Sequence, residues 1–213
     1  MEIRAVFFDL DGTLYSDSSG LWSEIKNRID RYLLEVMGFG PEQAARLRND
    51  YLEHYGTTLR GLQLNHHIDT ENYLRFVHDI PLEKYLKPDG RLRSLVSRLR
   101  RPHWIFTNSS SEHANSVLEA LGVRELFPRI IDIRALDFLC KPLEGAYLRA
   151  LQIAGLESAE GVLLIEDSER NITPAVKLGF QTVYLSLNGA SPSAHQTVKS
   201  LHELPEIYPE LWK

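Results

Sequence analysis

The chain has 213 residues, enough to bury a substantial core in one or two domains. Its 24 basic and 29 acidic side chains leave a net charge of −5, without the basic excess of a nucleic-acid binder, so no nucleic-acid polymer is expected as a partner. The single cysteine, Cys140, excludes an internal disulfide and suits a reducing compartment.

At the N-terminus Glu2, Asp9 and Asp11 stand where a signal peptide needs its apolar segment, and no apolar stretch approaches membrane-spanning length. The expectation is a soluble cytoplasmic protein with no membrane partner. Ile3 to Phe8, broken only by Arg4, reads as a buried strand that ends in Asp9-Leu10-Asp11-Gly12-Thr13. Leu21, Ile25, Ile29, Leu33 and Val36 recur at helical spacing over 21–37 and stop at Gly38-Phe39-Gly40. Pro41 suits the first position of the next helix, and Asp69 or Thr70 caps another over 69–79. Nothing between 16 and 87 reads as a buried strand.

From Pro88 the pattern alternates. A helix over 89–100 turns Leu92, Leu95, Val96 and Leu99 inward and leaves Arg91, Arg93, Arg98, Arg100 and Arg101 to solvent. The run Trp104-Ile105-Phe106 ends in Thr107-Asn108-Ser109-Ser110, and helix 112–121 stops at Gly122. Ile130 to Ile133, a helix over 143–154, Val162 to Ile165, a short helix up to Gly179 and Thr182 to Leu185 follow. Pro174 predicts an irregular start to that short helix. The last dozen residues are apolar enough to dock. Strands alternating with helices predict an α/β fold, a Rossmann-like parallel sheet flanked by helices. The expected division is a core of 1–15 and 88–213 with an inserted all-helical cap of 16–87.

Three strands thus end in reactive groups, Asp9 with Asp11, Thr107, and Glu166 with Asp167, and Lys141 opens the turn before helix 143–154. Parallel strands bring their carboxyl ends to one edge, where open α/β sheets bind ligands. Singly, a threonine there is an ordinary strand residue and Lys-Pro a solvated turn. Together, four acids in one cleft need a counterion, and hard oxygen donors select Mg²⁺. One hydroxyl and one ammonium facing that metal make a receptor for a phosphoryl dianion. Asp9 can then attack phosphorus, and Asp11 can serve the leaving alkoxide and the hydrolytic water as acid and base.

With these motifs in this order, the chain resembles the haloacid dehalogenase superfamily of phosphohydrolases over nearly its whole length. The long gap between Asp11 and Thr107 is where that superfamily inserts a helical cap. The resemblance implies Asp9 as nucleophile and Asp11 as acid/base. It places Leu10, Asp11, Thr107, Asn108 and Lys141 on phosphate, and Mg²⁺ on Asp9, the Asp11 carbonyl and Asp167, with Glu166 assisting. The dehalogenase branch lacks the second acid, present here as Asp11. Glu166-Asp167-Ser168 with Asn171-Ile172 looks like the pyrimidine 5′-nucleotidase-like branch, which more commonly has two aspartates; Glu166 departs toward hexose-phosphate mutases and related phosphatases.

The partner is therefore expected to be a small phosphorylated metabolite, pyrimidine nucleoside 5′-monophosphates first. Substrate contacts from the cap are expected at Tyr15, Trp22 and Arg60, Arg60 meeting a second anionic group. His66-His67 reads as solvated or capping, Cys140 as packing, and Ser109 to Ser111 as helix caps. A sugar-phosphate mutase, a phospho-receiver domain and a silent binding protein are the rival readings; a receiver places its paired acids before a separate phosphorylated aspartate, in about half this length.

Overall fold

The computed structural model describes residues 2–212. Strand β1 (Ala5–Phe8) is buried along its whole length, as an apolar run with no polar face requires. Its companions are β2 (His103–Phe106), β3 (Ile130–Ile131), β4 (Val162–Glu166), β5 (Gln181–Leu185) and β6 (Gln196–Val198). They form one sheet in the order β3-β2-β1-β4-β5-β6 with every pairing parallel. The first strand in sequence therefore lies at the centre, with Phe8 in register with Ile105 and Ile165.

Side chains alternate between faces along each strand. Val6, Phe8, Ile105, Leu163, Ile165 and Val183 join one buried cluster with Ala114, Val117 and Leu118 of α6 (Ser111–Ala120). Phe7, Trp104, Phe106, Val162 and Leu164 join another with Ala146, Tyr147 and Ala150 of helix 144–154. Helices thus cover both faces, the α/β arrangement expected.

Between β1 and residue 88 the regular elements are all helical: α1 (Leu21–Arg31), α2 (Pro41–Tyr55), α3 (Thr58–His66) and α4 (Thr70–His78), with short turns besides. They enclose a third cluster containing Tyr32, Leu33, Tyr51, Leu62, Tyr73 and Leu74, which Ile133 and Cys140 of the sheet-bearing part also enter. The helix predicted over 21–37 changes at Tyr32 to a π-helical turn that runs to Val36. Helix α3 has no counterpart in the sequence reading. Its glycine, Gly61, is required because a Cβ there would lie 2.2 Å from the Tyr51 ring.

Helix α5 (Gly90–Val96) is shorter than the predicted 89–100. The Ser94 carbonyl, which a continuing helix would need, accepts instead from Ser97 Oγ and Arg98 Nε. Helix α7 (Glu144–Ala154) ends at Gly155 in the left-handed conformation. Helix α8 (Glu169–Lys177) carries Pro174 internally, and the Asn171 and Ile172 N–H groups share the Ser168 carbonyl, a tightened first turn. Strand β6, short and largely polar, lies outside the strands expected from the sequence. The final segment, with α9 (Leu204–Ile207), does dock: Leu201, Leu204 and Leu211 are buried, and Trp212 Nε1 donates to the Leu95 carbonyl at 2.9 Å. Among the described residues no helix is long and apolar enough to cross a membrane.

Candidate active site

The carboxyl ends of β1, β2 and β4 share one edge of the sheet and bring together residues far apart in sequence. Asp9 follows β1 directly, and its N–H donates to the Ile165 carbonyl at 2.9 Å, which ties the nucleophile candidate to β4. The chain then turns at Gly12 with φ of +94°. A Cβ at that position would fall 2.2 Å from Asp167 Oδ2, so glycine is demanded by conformation and by space together.

Lys141 is fully buried, and its ammonium directs three N–H groups to three acceptors: Asp9 Oδ1 at 2.7 Å, Glu166 Oε2 at 2.7 Å and the Phe106 carbonyl at 2.9 Å. Its backbone is held by Asn108, whose side-chain oxygen accepts from the Lys141 N–H at 2.8 Å while its amide donates to the Lys141 carbonyl at 2.9 Å. Two of the expected roles shift accordingly. The Asn108 side chain, expected on phosphate, is engaged in placing Lys141. Lys141 acts first on the nucleophile, and a phosphoryl oxygen would have to displace one of its three acceptors.

Asp9, Glu166 and Asp167 each present a carboxylate oxygen, all within 4.8 Å of one another. Burial, reinforced by repulsion from Glu166, pushes Asp9 up to about 7 against the pull of Lys141. Burial and the charges of Asp9 and Glu166 push Asp167 up to about 9. Burial opposes the charge on Lys141, yet the two acids hold its ammonium protonated. Fully ionised, three carboxylates against one ammonium would carry two uncompensated negative charges, which protons on Asp9 and Asp167 relieve until a cation replaces them. The donors are all oxygen. That set fits a hard divalent cation such as Mg²⁺. The metal contact expected of Asp11 is through its backbone carbonyl, and its carboxylate is not part of this group.

It is held elsewhere. Tyr15 Oη donates to Asp11 Oδ1 at 2.7 Å, His113 Nε2 to the same oxygen at 2.8 Å and Ser109 Oγ to Oδ2 at 2.6 Å. Burial would raise this carboxyl, but pairing with His113 and the bonds from Ser109 and Tyr15 hold it well below the usual range. Thr13 Oγ1 donates to Asp9 Oδ2 at 3.1 Å. Thr107 Oγ1 accepts from the Ser109 N–H at 3.0 Å, which leaves its own O–H as a donor at the strand end. Leu10 puts its side chain in the core, so any contact it makes with phosphate must come from its backbone.

Tyr15, expected to meet substrate, is buried against Asp11 instead. Trp22 packs against the sheet-side core beneath Lys26. Arg60, half-buried in the first turn of α3, donates its backbone N–H to Thr57 Oγ1 at 3.1 Å, and Thr57 Oγ1 in turn donates to Cys140 Sγ at 3.7 Å, so this turn of α3 adjoins the Lys141 turn. Burial pushes that thiol up, and Cys140 packs as expected. His67 ends α3 in the left-handed conformation, while His66 Nε2 pairs with Tyr51 Oη at 2.8 Å. Of the three serines, Ser110 caps α6, whereas Ser109 serves Asp11. Ser109 and His113 were missed. His113 is three residues past the cap, and helical side chains lean toward the N-terminus, so its spacing from Thr107 was the available signal.

The sequence profile of haloacid dehalogenase-like hydrolases matches residues 3–179. Phosphate metabolism protein 8 of Saccharomyces cerevisiae is 32% identical over 190 residues, which cover 83% of this chain and 59% of that protein. The chain thus spans somewhat over half the length of that relative. A HAD phosphatase from Thermococcus onnurineus shares the fold with a TM-score of 0.66 at 20% identity, over 99% of this chain and 100% of that one. The magnesium-bound HAD-type protein YfnB of Bacillus subtilis does so with a TM-score of 0.59 at 20% identity, over 98% and 99%.

Proposed function

The chain belongs to the haloacid dehalogenase-like hydrolases, and on that premise we propose that it is a Mg²⁺-dependent phosphomonoesterase. It transfers the phosphoryl group of a small phosphorylated metabolite to Asp9 and then to water. The observation that carries the reading is the buried Lys141 ammonium bound to Asp9 and Glu166, with Asp167 completing a carboxylate group in charge deficit. Asp9, Glu166 and Asp167 would hold the metal, which supplies the charge that lets a phosphate dianion approach a carboxylate.

Lys141 keeps Asp9 oriented and lowers its charge density in a dry site. Thr107 offers an O–H to a phosphoryl oxygen. Attack by Asp9 forms an oxygen–phosphorus bond as the ester oxygen departs with a proton from Asp11, which is thereby left ionised. In the second step water attacks phosphorus, the bond to Asp9 breaks, and Asp11 takes the proton from water.

Pyrimidine nucleoside 5′-monophosphates come first among substrates, on the resemblance of the segment Glu166 to Ile172 to that nucleotidase branch, with Arg60, in the α3 turn that adjoins the Lys141 turn, as the cap contact. The name of the yeast relative, which refers to phosphate metabolism, agrees with a phosphatase. The test is a phosphate-release screen over nucleotides, sugar phosphates and phosphoglycolate, with and without Mg²⁺. Phosphate release, not isomer formation from a hexose phosphate, separates hydrolase from mutase. Asp9→Asn should lower release at least ~10³-fold while the protein still melts cooperatively; substantial residual turnover would overturn the assignment of the nucleophile.

A further inference from the structure

His113 belongs to none of the motifs that identified the site, yet it touches Asp11 directly. It sits in the first turn of α6, with its N–H bonded to the Ser110 cap at 3.3 Å, so its backbone is fixed by the helix start. Its side chain is almost wholly buried, and Nε2 lies 2.8 Å from Asp11 Oδ1. An ionised carboxylate only accepts, so Nε2 carries the hydrogen. On its other face the His78 ring stacks at 4.2 Å with an interplanar angle of 18°. His78 comes from the last turn of α4, and burial pushes it down to about 3, so it is a neutral flat ring.

Asp11 thus accepts three hydrogen bonds, from Tyr15 on its own turn, from Ser109 after β2 and from His113 on α6. Ser109 is itself immobilised: its N–H donates to Thr107 Oγ1 and its carbonyl accepts from the Ile133 N–H at 3.1 Å. A carboxylate fixed at both oxygens has no rotational freedom left about its terminal bond, which is the pre-organisation a general base requires.

We infer that His113, held between the Asp11 carboxylate and the His78 ring of the helical block, is a positioning residue that fixes Asp11 for deprotonating the water that hydrolyses the aspartyl-phosphate. The inference rests on the phosphatase reading and deepens it by assigning to His113 the placement of Asp11 that the second step needs. In that step the water oxygen bonds to phosphorus, the phosphorus–Asp9 oxygen bond breaks, and one water proton passes to Asp11.

p-Nitrophenyl phosphate separates the two steps, because its leaving group departs without an acid, so kcat/KM reports transfer to Asp9 and kcat reports hydrolysis of the intermediate once that step is slow. His113→Leu should lower kcat at least ~10-fold and KM in proportion, leaving kcat/KM within about 3-fold and revealing a burst of nitrophenol near one equivalent per site. His113→Gln, which keeps a donor near Nε2, should restore most of kcat. Ser109→Ala, which removes the 2.6 Å bond to the other oxygen, should show the same signature and decides the matter if the leucine variant fails to fold. If kcat and kcat/KM fall together without a burst, or neither changes, the inference is overturned. If the unaltered protein releases no phosphate from any ester with Mg²⁺, the phosphatase reading falls and takes this inference with it.

Discussion

Replacing Lys141 by methionine keeps the side chain out to Cε and removes its ammonium. The ammonium lies 2.7 Å from a carboxylate oxygen of Asp9 and 2.7 Å from one of Glu166. At an effective dielectric near 20, each pair is worth about 6 kcal/mol before desolvation is subtracted. Stripping the lysine of water offsets much of that sum, but the carboxylates remain buried when the lysine is gone. Removing one partner of such a pair costs roughly 3–5 kcal/mol, about a fifth or more of the stability of an ordinary domain. For a chain of this size that is a fall in Tm of roughly 6–20 °C. The loss should be largest near about pH 8 without metal and smaller near about pH 5.5, where protons relieve the repulsion. Thermal melts in chelator at both pH values measure it. A variant that melts within about 2 °C of the parent at the higher pH would refute the idea that this ammonium is what makes the acidic cluster tolerable.

Two further expectations concern the metal group. Asp9 and Asp167 have folded pKa values raised to about 7 and about 9 from 3.8, so without metal their contribution to stability is complete below about pH 4 and is lost as pH rises through those values. Mg²⁺ must displace those protons, so the rise in Tm on adding it should be greater at about pH 8 than at about pH 6; a shift independent of pH would exclude these carboxylates as its ligands. Gly12→Ala places a Cβ 2.2 Å from Asp167 Oδ2 at a φ of +94°, so the Asp167 carboxylate must move. The Mg²⁺ concentration for half-maximal activity should rise about tenfold or more, with about 1–2 kcal/mol lost from stability; an unchanged Mg²⁺ titration would show that Asp167 does not hold the ion.

What could be read from the sequence follows from which forces are local. Asp9, Thr107 and Glu166-Asp167 each end an apolar run, so their convergence needed only the rule that parallel strands point one way. Lys141 was placed by its position before a helix, but its pairing with Asp9 and Glu166 depends on long-range contacts that its position does not register. The orientation of Asp11 was not legible, because Ser109 reads as a helix cap and Tyr15 as a substrate contact, readings that compete with the bonds both make to Asp11. Helix α3 was hidden by Gly61, which answers to Tyr51 and not to helix propensity. Strand β6 was hidden because Gln196, Thr197 and Val198 form a short, largely polar edge. The early end of α5 depends on side chains that capture the Ser94 carbonyl, a competition that periodicity does not register.

The central place of β1 bears on how the molecule is made. Its two neighbours lie about a hundred and about a hundred and sixty residues further along the chain. As a ribosome delivers the polypeptide, Ala5 to Phe8 emerge long before either flank exists, a greasy ribbon with both hydrogen-bonding borders open. Helices α1 to α4 have mostly nearby contacts and can form in the interval. Any truncation that stops short of Val162 strands β1 with one bare border and deprives it of Glu166 and Asp167 together, so such fragments should clump when expressed, and shielding by a chaperone should matter most before that point.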